Sequence, residues 1–303
     1  MLFRARPEKL ELTLLKYLKS RMESSYDQAL NYNNLAKGYE GELKSDIWLK
    51  GLTEEWLILH DLLFEYHGSN FQIDTLIIAY EKIYLLDVKY FEGDYSIKDD
   101  KWYNPAGALQ KNPLHQLERC ETLLQKLLLK LGHHYKIESY LIFNNPEFHL
   151  NTTSINPAII FPTQLNRFLK KLNQRPVKLN KKYYQLAQQL VDHHQEESPY
   201  TRLPEYSYEK LQKGIICSKN CNTFFTDERM ICKKCGCKEE VDAAVLRSVK
   251  EFTLLFPDKK ITVDSIHDWC GGLKSKKAVR RILSKYFVLV GKARASHYVC
   301  RTQ

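Results

Sequence analysis

The side chains of this chain best suited to chemistry are Asp74, Asp87 and Lys89. From Gln72 to Lys89 two apolar β-type runs meet at Glu81-Lys82, with an acid at the start of one run and another near the end of the second. Antiparallel strands joined by a tight turn set residues equidistant from that turn opposite each other. Asp74 and Asp87 lie seven and six residues from its centre. Side chains alternate along a strand, so Asp87 and Lys89 share a face. Two carboxylates beside one amine are the least equipment that holds a divalent metal against a phosphodiester. Magnesium, or manganese in its place, takes oxygen ligands and completes its shell with water and phosphate oxygens, so Asp74, Asp87 and the carbonyl of Val88 suffice from the protein. A metal so held acidifies its water and offsets transition-state charge, and Lys89 is the candidate to orient that water or stabilise the oxyanion. An Asp-x-Lys strand is also compatible with a solvated cross-strand ion pair. The run Ile83-Tyr84-Leu85-Leu86 argues otherwise, because a strand buried on both faces makes an unpartnered charge expensive.

These groups need elements to carry them. Upstream, Lys37 to Trp48 contains an expected amphipathic helix from Tyr39, with Tyr39, Leu43 and Ile47 on its apolar face and Glu42 adjoining it. Glu40 and Lys44 fall on the solvated side. Gly38 and Gly41 cost helix propensity, as expected where something approaches the backbone closely.

Four segments in order, Gly38-x-x-Gly41-Glu42, Gln72-Ile73-Asp74, Asp87-Val88-Lys89 and Asn112-Pro113-x-x-Gln116, resemble the nuclease-related domain, NERD. That domain is a branch of the PD-(D/E)xK restriction-endonuclease-like superfamily, and the resemblance spans roughly residues 36 to 145. Most members carry Glu where this chain has Asp87. The resemblance implies an α/β (α+β) fold with a mixed sheet flanked by helices, metal-dependent phosphodiester hydrolysis, and a site of Glu42, Asp74, Asp87 and Lys89. Glu42 would reach the metal directly or through water, and Gln116 would position water or a phosphate. Gln116 is equally explained as a polar first-turn residue after Pro113.

A second kind of chemistry sits in Cys217-x3-Cys221-x10-Cys232-x2-Cys235-x-Cys237. Paired thiols separated by about ten residues have the spacing of a zinc ribbon, with Cys217, Cys221, Cys232 and Cys235 as expected ligands and Cys237 as a substitute. So short a segment needs its metal to fold.

Beyond it, the order helix, short extended stretch, helix, helix, hairpin looks like a winged helix-turn-helix. Ser275 to Lys285 is its expected recognition helix, with Lys276, Lys277, Arg280 and Arg281 facing solvent, and Lys292 and Arg294 are at the wing tip. Residues 1–210 balance 27 basic against 27 acidic side chains, whereas residues 241–303 carry 13 against 5. The net charge of +10 is therefore concentrated at the C-terminal end, which points to DNA as partner there.

The expected domains are 1–160, nuclease-like with an N-terminal helix packed on its core; 161–213, a polar helical extension and linker broken at Pro176 and Pro199 to Pro204; 214–240, zinc ribbon; and 241–303, winged helix. No segment is long and apolar enough for a membrane span or a signal core, so a cytoplasmic protein is expected. No motor motif is visible, which leaves any motor activity to a helicase or other DNA-processing partner, and a duplex break calls for two sites, which a homodimer would supply, whereas cutting one strand needs one. The competing expectation is a non-catalytic DNA-binding or regulatory protein that keeps the nuclease-like fold as scaffold.

Overall fold

A computed structural model describes residues 1–53, 56–174, 179–196, 201–219, 221, 223–227 and 229–301, with Arg294 described by its backbone alone. Pro176 and Pro199, the expected linker breaks, lie outside the described residues. In chain order the elements are β1 (Leu2–Arg4), α1 (Leu10–Arg21), α2 (Tyr26–Leu49), β2 (Leu57–Tyr66), β3 (Ser69–Ala79), β4 (Lys82–Lys89), β5 (Gly93–Lys98), β6 (Lys101–Tyr103), β7 (Leu109–Gln110), α3 (Pro113–Lys130), β8 (Lys136–Phe143), β9 (Phe148–Asn151), β10 (Ile159–Ile160), α4 (Leu165–Asn173), α5 (Lys181–Asp192), α6 (Val241–Leu255), α7 (Val263–Trp269), α8 (Lys276–Tyr286), β11 (Phe287–Val290) and β12 (His297–Cys300). The chain forms two units, Met1–Lys9 with Asn33–Thr201 and Leu10–Tyr32 with Arg202–Gln303, so one boundary falls inside α2.

The first unit is built on a mixed six-stranded sheet in the order β1-β2-β3-β4-β8-β10. β2, β3 and β4 pair antiparallel, while β1 joins β2, and β4, β8 and β10 join one another, in parallel. β4 lies inside this sheet, and its unbroken apolar run serves both faces. Ile83 and Leu85 pack with Leu117, Leu124 and Leu128 of α3, whereas Tyr84, Leu86 and Val88 pack with Leu49 of α2 and Phe168 of α4. Helices thus flank both faces, as the fold expectation required. α3 starts sharply because Asn112 Oδ1 accepts from the Leu114 N–H at 2.9 Å and Pro113 occupies the first turn. A smaller sheet, β7-β6-β5-β9, completes the strands of this unit.

Three expectations about elements change. The extension expected after residue 160 is not merely polar, because Tyr183, Leu186 and Leu190 of α5 join the α3 cluster and Phe168 and Leu172 of α4 join the other. α2 begins at Tyr26 and turns a different face inward: Leu43 and Ile47 are exposed, while Gly41, Glu42, Ser45 and Leu49 are buried. α1, expected on the nuclease-like core, belongs to the second unit. Its Leu14 and Leu18 share a cluster with Val245 and Phe252 of α6, Trp269 of α7 and Ile282 of α8. The cause is Arg21, whose guanidinium meets both oxygens of buried Glu251 at 2.8 and 2.6 Å, donates to the carbonyls of Gln212 and Gly214, and lies 3.9 Å from the Trp269 ring. A buried charge needs a full set of such partners, and residues of the second unit supply them.

In that unit α6, α7 and α8 are followed by the antiparallel pair β11 and β12. Ser275 Oγ accepts from the Ala278 N–H at 3.3 Å and caps α8, with Val279, Ile282 and Leu283 buried beneath it.

Candidate functional site

The β3–β4 turn is Tyr80-Glu81, one residue earlier than expected, with Ala79 paired to Lys82 and Glu81 at φ +57°. The shift makes the two acids equidistant from the turn. The paired register ends at Thr75 against Leu86, which leaves Asp74 and Asp87 as the next residues on the two strands, and Asp74 Oδ2 accepts from the Val88 N–H at 2.8 Å. Asp87 is buried on the inner strand. Lys89 Nζ lies 2.6 Å from Asp87 Oδ1, so the ammonium is the close partner of this buried carboxylate. Burial pushes the Asp87 carboxyl up to about 7 against the pull of Lys89, and the Asp74 charge adds to the rise. Burial acts to lower Lys89, yet Asp87 and Asp74 carry it above its ordinary value. Lys89 Nζ also reaches Gln116 Oε1 at 3.3 Å, so the first turn of α3 joins the group.

α2 supplies Glu42, and a glycine lets it come near. A Cβ on Gly41 would stand 2.4 Å from Tyr90 Cβ, directly after Lys89. Asn144, which follows β8, donates from Nδ2 to the Gly41 carbonyl at 2.7 Å, and its backbone N–H reaches the Lys89 carbonyl at 3.4 Å. Asn144 therefore ties α2 to the end of β4. Burial, then Asp74, raises Glu42 above the usual carboxylate range, while Lys9 and Arg6 draw it back.

Those two cations were not foreseen. Arg6 donates to Glu42 Oε2 at 2.8 Å, to Asp46 at 2.9 and 3.0 Å, to the Asp74 carbonyl at 2.9 Å and to Thr75 Oγ1 at 3.4 Å. Lys9 Nζ meets Glu42 Oε1 at 2.6 Å. The available signal was the spacing of Glu42 and Asp46, four apart on one helix: two acids turned inward together need a cation between them.

The donor set suits a hard divalent ion. Asp87 offers a buried carboxylate whose close cationic partner is Lys89, Asp74 keeps one oxygen free of the Val88 bond, and paired buried carboxylates of this kind are the oxygen ligands a divalent cation takes. The residues 37–144 that bear Glu42, Asp74, Asp87, Lys89 and Gln116 match the family model of the nuclease-related domain. No curated protein and no solved structure matches the chain. No helix among the described residues is long and apolar enough to cross a membrane. The matched segment takes in α2 from Lys37, the whole β3–β4 hairpin and α3, whereas Arg6 and Lys9 come from outside it.

The cysteines form a second cluster. The sulfurs of Cys217, Cys232, Cys235 and Cys237 all lie within 4.8 Å of one another. Tetrahedral zinc with bonds of about 2.3 Å separates its sulfurs by about 3.8 Å, so this set is compatible with a structural zinc site. This mutually close set holds Cys237, named in the sequence as a substitute, and does not include Cys221. The Cys232 N–H donates to the Cys237 carbonyl at 2.9 Å and Gly236, at φ +69°, donates to the Cys232 carbonyl at 2.8 Å, and this tight turn folds Cys237 inward. Cys221 Sγ remains 3.4 Å from Cys232 Sγ. The Cys235 backbone N–H holds the Cys232 thiol down to about 6, while burial pushes Cys217 up.

On α8, Lys276, Lys277, Arg280 and Arg281 are all exposed, but not all unpaired. Lys276 meets Asp264 at 2.7 Å and Arg281 meets Asp242 at 2.7 Å. Lys277 and Arg280 have no ion pair among the described residues, and Lys292 is exposed on the β11–β12 connection. The side chain of Arg294 lies outside the described residues.

Proposed function

We propose that this protein is a metal-dependent deoxyribonuclease of the PD-(D/E)xK type whose C-terminal module binds DNA. The observation that carries the reading is Asp87, a carboxylate buried on an inner strand, held above its ordinary pKa by burial and by the neighbouring Asp74 charge and paired with the Lys89 ammonium at 2.6 Å. Asp74, Asp87 and the Val88 carbonyl, with Glu42 directly or through water, would hold magnesium or manganese. When bound, such an ion acidifies its water and offsets charge on the phosphorane-like transition state. Lys89 holds a proton beside Asp87 and orients the attacking water, and Gln116 fixes the Lys89 ammonium and a neighbouring phosphate oxygen. Asn144 and Gly41 keep α2, and so Glu42, against the end of β4. Zinc held by Cys217, Cys232, Cys235 and Cys237 would fold the ribbon. The winged-helix reading of residues 241–303 assigns α8 to the major groove, with Lys277 and Arg280 as free cations and Lys276, Arg281, Lys292 and Arg294 beside them.

The test is cleavage of labelled single-stranded and duplex DNA in magnesium and in manganese by the parent, Asp87→Asn and Lys89→Ala proteins. Each variant is expected to lose cleavage by about a hundredfold or more, the range for removing one electrostatic contributor. An Asp87→Asn protein that cuts like its parent removes the assignment and leaves a DNA-binding scaffold.

A further inference from the structure

Both oxygens of Glu42 are taken, by two cations of different character. Arg6 has a side chain only 1% exposed and directs its donors to Asp46, the Asp74 carbonyl and Thr75 as well as Glu42, so it is locked in place. Lys9 is 24% exposed, and its ammonium meets Glu42 Oε1 at 2.6 Å and lies 5.9 Å from the Tyr39 ring centre. One ion pair and one ring contact hold it. A divalent ion held by Asp74 and Asp87 that draws on Glu42 would compete with Lys9, because two cations brought to one carboxylate oxygen repel each other. A scissile phosphate arriving with the metal supplies a new anion within the same site. Lysine suits such an exchange, being a compact point charge on a flexible stem, whereas the arginine fork is fixed by its geometry.

Resting on the nuclease reading above, we propose that Lys9 is a transferable phosphate-binding residue, which neutralises Glu42 in the resting site and passes to a DNA phosphate when a divalent cation takes its place on Glu42. Arg6 stays behind as the positioning residue that ties Glu42 to the Asp74 backbone carbonyl. The exchange keeps the local charge near balance at each stage: the cation gained by Glu42 replaces the one given to the phosphate.

A merely structural ion pair predicts something different. Removing Lys9 in that case loosens Glu42 and weakens everything together, whereas the exchange predicts effects of opposite sign. The experiment titrates the full chain with Mn²⁺ alone by calorimetry, for parent, Lys9→Gln, Lys9→Arg and Asp87→Asn, and measures KM and kcat on a labelled oligonucleotide. Lys9→Gln is expected to bind Mn²⁺ about five-fold tighter, freed of its competitor, while KM rises about ten-fold, as for one lost charge-assisted phosphate contact, and the loss falls on KM more than on kcat. Lys9→Arg is expected to restore most of KM. Unchanged or weaker Mn²⁺ binding in Lys9→Gln, with binding abolished in Asp87→Asn, overturns the role of Lys9 and leaves the metal site standing. Mn²⁺ binding that survives Asp87→Asn overturns the metal site and the role of Lys9 together.

Discussion

His60 connects the candidate site to the interior of its unit. It is 4% exposed, with Nδ1 at 3.0 Å from Thr75 Oγ1 and 3.3 Å from Asp46 Oδ1, and both of those residues also accept from Arg6. Burial holds the imidazole down to about 4 from its ordinary 6.5; Asp46 and Asp61 oppose this, and Arg6 and Arg4 reinforce it. The unfolded chain therefore takes up a proton near pH 6.5 that the folded chain refuses until about pH 4. Stability from this residue is full above the unfolded value, falls as pH drops through that window, and levels off below it, a change of roughly 3 kcal/mol. Urea unfolding of parent and His60→Asn from pH 7 to pH 4 measures it. The parent is expected to lose stability on acidification relative to the variant, which isolates His60 from Asp87 and Glu42, whose raised values act with the opposite sign. Equal pH slopes for the two proteins would contradict the buried neutral imidazole. The sequence marked Asp74, Asp87 and Lys89 because strand alternation is local. It was silent on Arg6, Lys9 and His60, whose partners lie 14 to 69 residues away.

At the scale of elements, α2 carries two glycines that look alike in sequence and differ in space. Gly38 has nothing within 4 Å of an added Cβ, whereas Gly41 would drive its Cβ into Tyr90 Cβ at 2.4 Å and Cγ at 2.9 Å. The contact lies at the root of the tyrosine side chain, so a rotamer change does not relieve it. Gly38→Ala is expected to stabilise by up to about 1 kcal/mol, the ordinary helix gain. Gly41→Ala should destabilise by roughly 1–3 kcal/mol, as overpacking does, and should lose cleavage because Glu42 moves with α2. Thermal unfolding and cleavage by both variants check the pair, and a stabilised, active Gly41→Ala would refute the close approach. The same packing explains the turned helix face. Apolar periodicity placed Leu43 and Ile47 inside, yet the need to bury Glu42 against Arg6 and to seat Gly41 on Tyr90 outweighs two aliphatic side chains.

For the whole molecule, charge is the property that composition displays most directly. The basic excess falls in residues 241–303, and on α8 it is partly neutralised by Asp242 and Asp264. Exposed pairs of this kind are weak and exchange readily for phosphate, so the resting pairs do not remove Lys276 and Arg281 from the proposed surface. Lys277→Ala with Arg280→Ala is expected to weaken duplex binding and to flatten the log–log salt dependence by about two units, one per phosphate contact. Binding that keeps its slope across a salt titration would count against this face. By itself the sequence determined what depends on near neighbours: the β3–β4 hairpin with its opposed acids, the capped starts of α3 and α8, the thiol-rich turn and the segregation of charge. Tertiary structure alone decided that α1 joins the second unit through Arg21, that Cys237 rather than Cys221 completes the mutual thiol set, and that two cations hold Glu42. Each of those outcomes is settled by which distant group satisfies a buried charge or fills a close contact, and spacing along the chain carries no record of that choice.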